Sequence, residues 1–420
     1  MKKLILSIAT FLLIFLISCN GKENVIEFPQ QTLTKVDSFV LEENEDVLLS
    51  IILDCKINNS ADKVVVISDN QLIVCYDYNN GKIINYNIAG LSLSDSIINY
   101  NRIPPDNTYV IPPRYCLKFI SIEECKKYGF SDVELQFMNN KFMKVEYNPD
   151  NTISSLALIY IPTLLKDDSR MIYNTAAVVE FDSSLKIKKV VFPNNTLFNF
   201  TVPNTFANDY FNKQYYITNE TPTRYNRLKL KDSLPVLSIY DGKGEFIKTA
   251  LFLDEQFIID DIIVNNENLY TPSVTIIKDK IFAMFRFDPN TLYDLKSNKK
   301  IPIERPLVDY SQNFVDYSKA LKESKKGSST IELLHKYLPM SAIKLLNNGT
   351  NLIVCYKVML KDETSFIFRE YDFNGKLISE RSFFNKSDRS ISNLLYDKIN
   401  NYFVFFVRGE ENWTMEKYRW

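Results

Sequence analysis

From Val36 onward the chain is written in short apolar or alternating runs separated by polar turn residues. Such runs cover Val47–Leu53, Val64–Ile67, Leu72–Tyr76, Ile83–Ile88, Met143–Tyr147, Ile153–Ile161 and Ala176–Phe181. They resume at Leu237–Tyr240, Phe257–Val264, Ile281–Phe287, Leu352–Leu360, Phe366–Tyr371 and Tyr402–Val407. Asn, Asp, Gly, Pro or Ser bounds each of them, which is the texture of an all-β domain. Two stretches depart from it. Ser121-Ile-Glu-Glu124 is a capping-box pattern with Gly129 as a stop, which predicts a short helix near Ile122–Tyr128. A second helical stretch is expected from Tyr317 to Pro339, where Ser329-Thr-Ile-Glu332 repeats the cap. Both read as insertions, near 101–130 and 311–340.

A hairpin recurs among the strands: an apolar strand ending in an aromatic residue, then Asp or Asn, a short polar turn and a second apolar strand. The clearest copies are Tyr76-Asp77-Tyr78-Asn79-Asn80-Gly81-Lys82 and Tyr371-Asp372-Phe373-Asn374-Gly375-Lys376, with Tyr240-Asp241-Gly242-Lys243-Gly244 a third. Weaker copies begin at Asp182, Asp288 and Asn148. The chemistry favours turns, because the leading carboxylate accepts from backbone N–H groups two residues on and Asn-Gly supplies positive φ. The leading residues fall at 77, 148, 182, 241, 288 and 372, with gaps of 71, 34, 59, 47 and 84. These scatter around a propeller blade of roughly 40–50 residues. One four-stranded sheet cannot bury both faces alone, whereas a ring of them does. The expected fold is therefore a β-propeller over residues 36–420, with six blades or seven; two β-sandwich domains are the alternative. Ring closure is expected to pair Val36–Leu41 with the C-terminal strands around Tyr402–Val407 and Trp413–Trp420.

The amino terminus carries a different pattern. Lys2-Lys3 precede an apolar run from Leu4 to Ile17 that is broken only by Ser7 and Thr10. That length suits a secretory signal and is short for a permanent span. The run ends in Leu16-Ile17-Ser18-Cys19, which resembles the lipobox of bacterial lipoproteins. The resemblance implies a signal peptide over 1–18, a lipid on Cys19 that anchors the protein to a membrane, and a linker over 19–35. Asn20 in place of Asp points to the outer membrane, in either leaflet.

Composition narrows the chemistry. The 420 residues hold 50 Lys+Arg against 51 Asp+Glu, so no basic excess suggests nucleic acid. A single histidine, His335, removes multi-histidine zinc sites and most Ser-His or Cys-His machinery, and is itself expected on a helix face. After Cys19 there remain Cys55, Cys75, Cys116, Cys125 and Cys355, an odd number for an oxidising compartment. Cys75 and Cys355 sit in matching strand patterns as small hydrophobes, and Cys116 with Cys125 is a candidate bridge. Asp167-Asp168 and Asp260-Asp261 are neighbours that a strand points to opposite faces. Asp77-x-Asn79-x-Gly81 departs from a calcium loop, with Lys82 and Ile88 where Gly and Glu are required. The Lys296, Lys299-Lys300 and Lys325-Lys326 runs read as solvated loops. No nucleotide, hydrolase or metalloprotease motif occurs, and no cofactor, metal or catalytic residue is assigned.

The lipobox, the strand-rich texture and the Tyr-Asp-x-Asn-Gly-Lys hairpins together resemble lipoproteins of gut Bacteroidota catalogued as domain of unknown function 4221. That resemblance implies a six-bladed propeller and carries no site residues with it. The expected role is a non-catalytic envelope module that binds a protein, peptide or glycan through one propeller face. The alternative is an envelope hydrolase or lyase whose composite site lies in the central funnel.

Overall fold

The computed structural model describes residues 29–89, 116–132, 135, 140–165, 167, 169–193, 205–218, 234–253, 271–286, 288–303, 340–359, 364–385 and 389–420. After β1 (Thr34–Val40), blade 1 is β2 (Ile52–Ile57), β3 (Lys63–Ser68), β4 (Leu72–Asp77) and β5 (Ile83–Ile88). Blade 2 carries an added strand, β6 (Cys116–Phe119), followed by the helix α1 (Ile122–Cys125). Its own strands are β7 (Lys141–Tyr147), β8 (Ile153–Leu165), β9 (Arg170–Phe181) and β10 (Ile187–Val191). Blade 3 is β11 (Phe206–Asp209), β12 (Gln214–Thr218), β13 (Leu234–Asp241) and β14 (Phe246–Leu253). Blade 4 is β15 (Pro272–Ile277), β16 (Lys280–Phe285), β17 (Thr291–Asp294) and β18 (Lys299–Pro302). Blade 5 is β19 (Met340–Asn347), β20 (Leu352–Met359), β21 (Thr364–Tyr371) and β22 (Leu377–Phe384). Blade 6 joins β23 (Ser390–Asp397), β24 (Tyr402–Arg408) and β25 (Trp413–Arg419) to β1.

The first strand of each blade packs beside that of the next, in the closed order β2, β7, β11, β15, β19, β23 and back to β2. The protein is thus a six-bladed β-propeller. Apolar side chains fill the gap between every pair of blades. Val65, Ile73 and Phe181 join blades 1 and 2, for example, while Val66, Val404 and Met415 join blades 6 and 1. Neither face of a strand in the middle of a blade is left to water, so many of these strands are apolar along their whole length, while an outer strand such as β5 alternates. All of Val64–Ile67 and Leu72–Tyr76 is buried.

Closure follows the expected pairing. β1 runs antiparallel to β25, with Phe39 opposite Met415 and Val40 opposite Thr414. The chain docks earlier than Val36: Ser382 donates its backbone N–H to Gln31 O, and Leu33 is buried between blades 5 and 6. The run Val47–Leu53 is a correction, since it is mostly loop, with β2 starting only at Ile52. Val47 and Leu49 are nonetheless buried under Trp413, which explains the apolar signal without a strand.

All six copies lie between antiparallel neighbours, and four of them are at the outer edge of a blade. Asp77, Asp182, Asp241 and Asp372 each open the turn between the third and outer strands of a blade. Asp372 Oδ1 accepts from the N–H groups of Asn374 and Lys376, and Asp241 Oδ1 from those of Lys243 and Glu245. Asp288 instead precedes β17 and Asn148 follows an inner strand, so the irregular gaps mixed three kinds of turn. Blade 4 has its true counterpart at Asp294, whose Oδ1 accepts from Lys296 and Ser297 N–H.

Near the first insertion, β8 runs past the end of β7 and pairs there with β6, Phe119 opposite Thr163. Ser121 caps α1 by accepting from Glu124 N–H, and the chain turns at Gly129 with φ +81°. The helix is shorter than its capping box suggested. Cys125, Ile120, Phe130 and Leu164 form a small separate core there. The side chain of Cys116 lies outside the described residues, as do the stretch 311–339 and Phe257–Val264.

Candidate functional site

The six inner strands run parallel to one another around a central channel. Side-chain bonds set that direction: Ser392 and Asn393 donate to Ile52 O and Leu53 O in succession. In the same way Leu345 N–H donates to Ser273 Oγ, and Asn347 Nδ2 to Thr275 Oγ1. All six turns leaving the inner strands therefore crowd one mouth of the channel. Five open with a buried Asx: Asn58, Asn148, Asp209, Asn347 and Asp397. These side chains are spent on the turns and on neighbouring blades, as where Asp397 accepts from Ile399 and Asn400 N–H and from Tyr78 Oη–H. On the rim of this mouth Phe211 is 80% exposed and Ile399 55% exposed.

The channel encloses about 850 Å³, the size of a small-ligand site. Its middle is built by a repeated backbone irregularity. Register slips by one residue between Ile52 and Asp54, Phe142 and Lys144, Ala342 and Lys344, and Ile391 and Asn393. Each slip is a bulge in an inner strand, and each is followed at once by a polar residue. Bulges bend a strand and re-aim a side chain. Here four of them, on consecutive blades 5, 6, 1 and 2, present Lys344, Asn393, Asp54 and Lys144 to the channel. The inner strands of blades 3 and 4, β11 and β15, pair in unbroken register.

Three of the four are satisfied by neighbours. Lys344 Nζ donates to Asn393 Oδ1 and Leu394 O, both at 2.7 Å, and stands 3.7 Å from Asp54 Oδ1. Asp54 Oδ2 accepts from Val145 N–H at 3.1 Å. One turn of strand further on, Lys56 Nζ donates to Glu146 Oε1 at 2.7 Å. Lys144 differs: among the described residues no hydrogen bond or ion pair reaches its ammonium, although Asp54 attracts it at longer range.

Titration behaviour follows from this crowding. Burial works to raise the Asp54 carboxyl, but Lys144, Lys344 and Lys56 hold it below the usual carboxylate range. Burial lowers Lys144, and repulsion from Lys344 and Lys56 offsets the pull of Asp54. Lys398, at the turn mouth, is lowered by burial and by Lys56. Toward the other mouth, burial and Arg286 lower Lys357. Cys55, next to Asp54 in sequence, is buried and pushed up to about 12, which leaves the thiol unreactive. Cys75 and Cys355 are likewise buried free thiols.

None of the charged channel residues Asp54, Lys56, Lys144, Glu146 and Lys344 belongs to a linear motif. A signal was present: Asp54/Asn58, Lys144/Asn148 and Asn393/Asp397 each pair a polar residue with an Asx four positions later. Of the sequence candidates, Cys19, His335, Lys325-Lys326, Asp168 and Asp260-Asp261 lie outside the described residues. Asp77 spends its carboxylate on its own turn, accepting from Asn79 N–H and Asn80 Nδ2. Lys296 and Lys299-Lys300 are exposed on the outer hairpin of blade 4. Among the described residues no three His, Cys, Asp or Glu gather as a metal site. No protein-family model matches the chain, and no curated protein sequence matches it.

Proposed function

We propose that this chain is a lipid-anchored envelope propeller that binds a ligand or partner without transforming it. The partner is a protein, peptide or glycan, engaged at the channel and its turn mouth. The observation that carries the reading is the set of four bulges, which place charged and amide groups in a cavity sized for a ligand. Its carboxylates are already committed, Asp54 to Val145 N–H and Lys344, Glu146 to Lys56, an arrangement suited to recognition. The lipobox ending at Cys19 supplies the tether and the outer-membrane location, and the resemblance to the Bacteroidota lipoprotein family belongs to the same reading. A second reading, an envelope hydrolase or lyase, draws on Lys144, whose weakened hold on its proton suits a general base.

The test has two parts. Cys19→Ala is expected to move the protein from the membrane to a soluble fraction; retention of that variant would remove the lipoprotein reading. Crosslinking in intact cells, with a C-terminal tag and Cys19→Ala as control, is expected to yield one stoichiometric companion that is lost with the anchor. Turnover of an envelope polymer that Lys144→Met abolishes would replace the binding module by the enzyme.

A further inference from the structure

The charges of the channel do not balance. Asp54 and Glu146 share their surroundings with Lys56, Lys144 and Lys344, and each of these five groups feels the charge of others in the set. Among the described residues, three cations against two anions leave +1 (3 − 2 = 1) in the middle of the channel, inside a protein whose whole sequence sums to −1, while Lys398 stands exposed at the turn mouth. Two ion pairs account for Lys56 with Glu146 and Lys344 with Asp54. Among the described residues Lys144 is the cation left over. Uncompensated charge in a confined, low-dielectric site is costly unless a counter-ion enters.

Geometry points the same way. Lys144 reaches the channel because its strand breaks register between Phe142 and Lys144. Without that bulge, period-two alternation would turn it toward the opposite side of β7. An ammonium with spare donors in a site of net positive charge is the equipment of an oxyanion site.

We infer that the middle of the channel binds an oxyanion, the carboxylate or phosphate group of a small ligand, with Lys144 as its direct donor and Lys56 and Lys344 supplying the field. This rests on the binding-module reading and names the chemistry of its ligand. The anion accepts from the Lys144 ammonium, and binding favours the protonated lysine.

The experiment is calorimetric titration of the full chain in detergent with sodium phosphate and, separately, with sodium galacturonate, at fixed ionic strength with chloride as the reference salt. One of the two is expected to give a saturable isotherm; phosphate alone identifies a phosphorylated ligand, galacturonate alone a carboxylated one. Lys144→Met should weaken binding by about tenfold or more, as loss of one charge-assisted hydrogen bond does. Lys144→Arg should keep most of it, and Lys299→Met, on the exterior, all of it. Melting curves confirm that each variant is folded. Repeating the titration above neutral pH in two buffers of different ionisation heat should reveal proton uptake in the wild type and its loss in Lys144→Met. Saturable binding of neither anion, or equal binding by Lys144→Met, overturns the inference. Capture of a companion in cells together with failure of both anions would leave the envelope module standing and remove only the anion site.

Discussion

At the scale of single residues, the outer turns decide how closely blades approach. Gly375 has φ +84°, and a Cβ there would lie 2.3 Å from Pro302 O at the end of the preceding blade's outer strand. Gly244 and Gly81 meet Phe192 O and Val40 O in the same way, so one contact recurs at three blade junctions. Leu185 holds the corresponding place in blade 2 with φ +60°, its side chain buried and its carbonyl accepting from Asn87 Nδ2. Backbone conformation and close approach are therefore separable demands. Gly349 isolates the first, since its φ is +92° but nothing lies within 4 Å of the added Cβ. Gly349→Ala should cost about 1–2 kcal/mol, the ordinary penalty of a left-handed residue. Gly375→Ala should cost about 2–5 kcal/mol, because overlap with a backbone oxygen is added to that penalty. Chemical denaturation of the two variants measures the difference, and equal midpoints would show that the blade contact contributes nothing.

At the scale of elements, the most exposed joint is β1 on β25, since a single ladder holds the first strand to the last. A polar clamp reinforces it. Lys35 Nζ donates to Glu416 Oε1 at 2.6 Å, Arg389 pairs with Oε2 of the same carboxylate, and Tyr418 Oη–H donates to it. Burial works to raise the Glu416 carboxyl, but these partners bring it below its usual 4.5. A carboxyl lowered by folding stabilises the fold above its unfolded value, and that contribution disappears as pH falls through the lower folded value. Amide exchange in β1 should accordingly accelerate as pH drops below 4.5, after correction for intrinsic exchange, and Glu416→Gln should flatten that dependence. A wild-type profile identical to the variant's would dismiss the clamp. The same elements show what a sequence discloses. The Asp-led outer turns were legible because their chemistry is local: one carboxylate, two N–H groups and one residue at positive φ. Apart from β7 the inner strands were less so, since β11 has only four residues and the polar partners of β15, Leu345 N–H and Asn347 Nδ2, lie on the next blade. The four bulges leave no trace in hydrophobic periodicity beyond a polar residue out of step. The channel site was hidden for that reason, while the strand texture around it was plain.

At the scale of the whole molecule, the ring ties its two ends together through buried polar contacts as well as strand pairing. Tyr78, carried on the outer turn of blade 1, donates its hydroxyl to Asp397 on the inner strand of blade 6. Lys417 Nζ lies 3.6 Å from the centre of the Tyr78 ring and donates to Tyr78 O. Leu41 N–H donates to Trp413 O and Glu42 N–H to Gly81 O, so the segment after β1 bridges blades 6 and 1. A circular fold has no cheap place to open, because breaking one junction uncovers apolar faces on two blades. Deleting residues 29–41 removes β1 and bares the edge of β25, whose free N–H and C=O groups invite pairing between molecules. The truncated chain is expected to melt at a lower temperature and to self-associate in sedimentation. A peptide spanning residues 31–43, added in trans, should restore both the monomer and the melting temperature, because the pairing register lies wholly within it. If the truncated chain stays monomeric and melts as the intact protein does, the ring is held by its blade interfaces alone and the closing strand is an ornament.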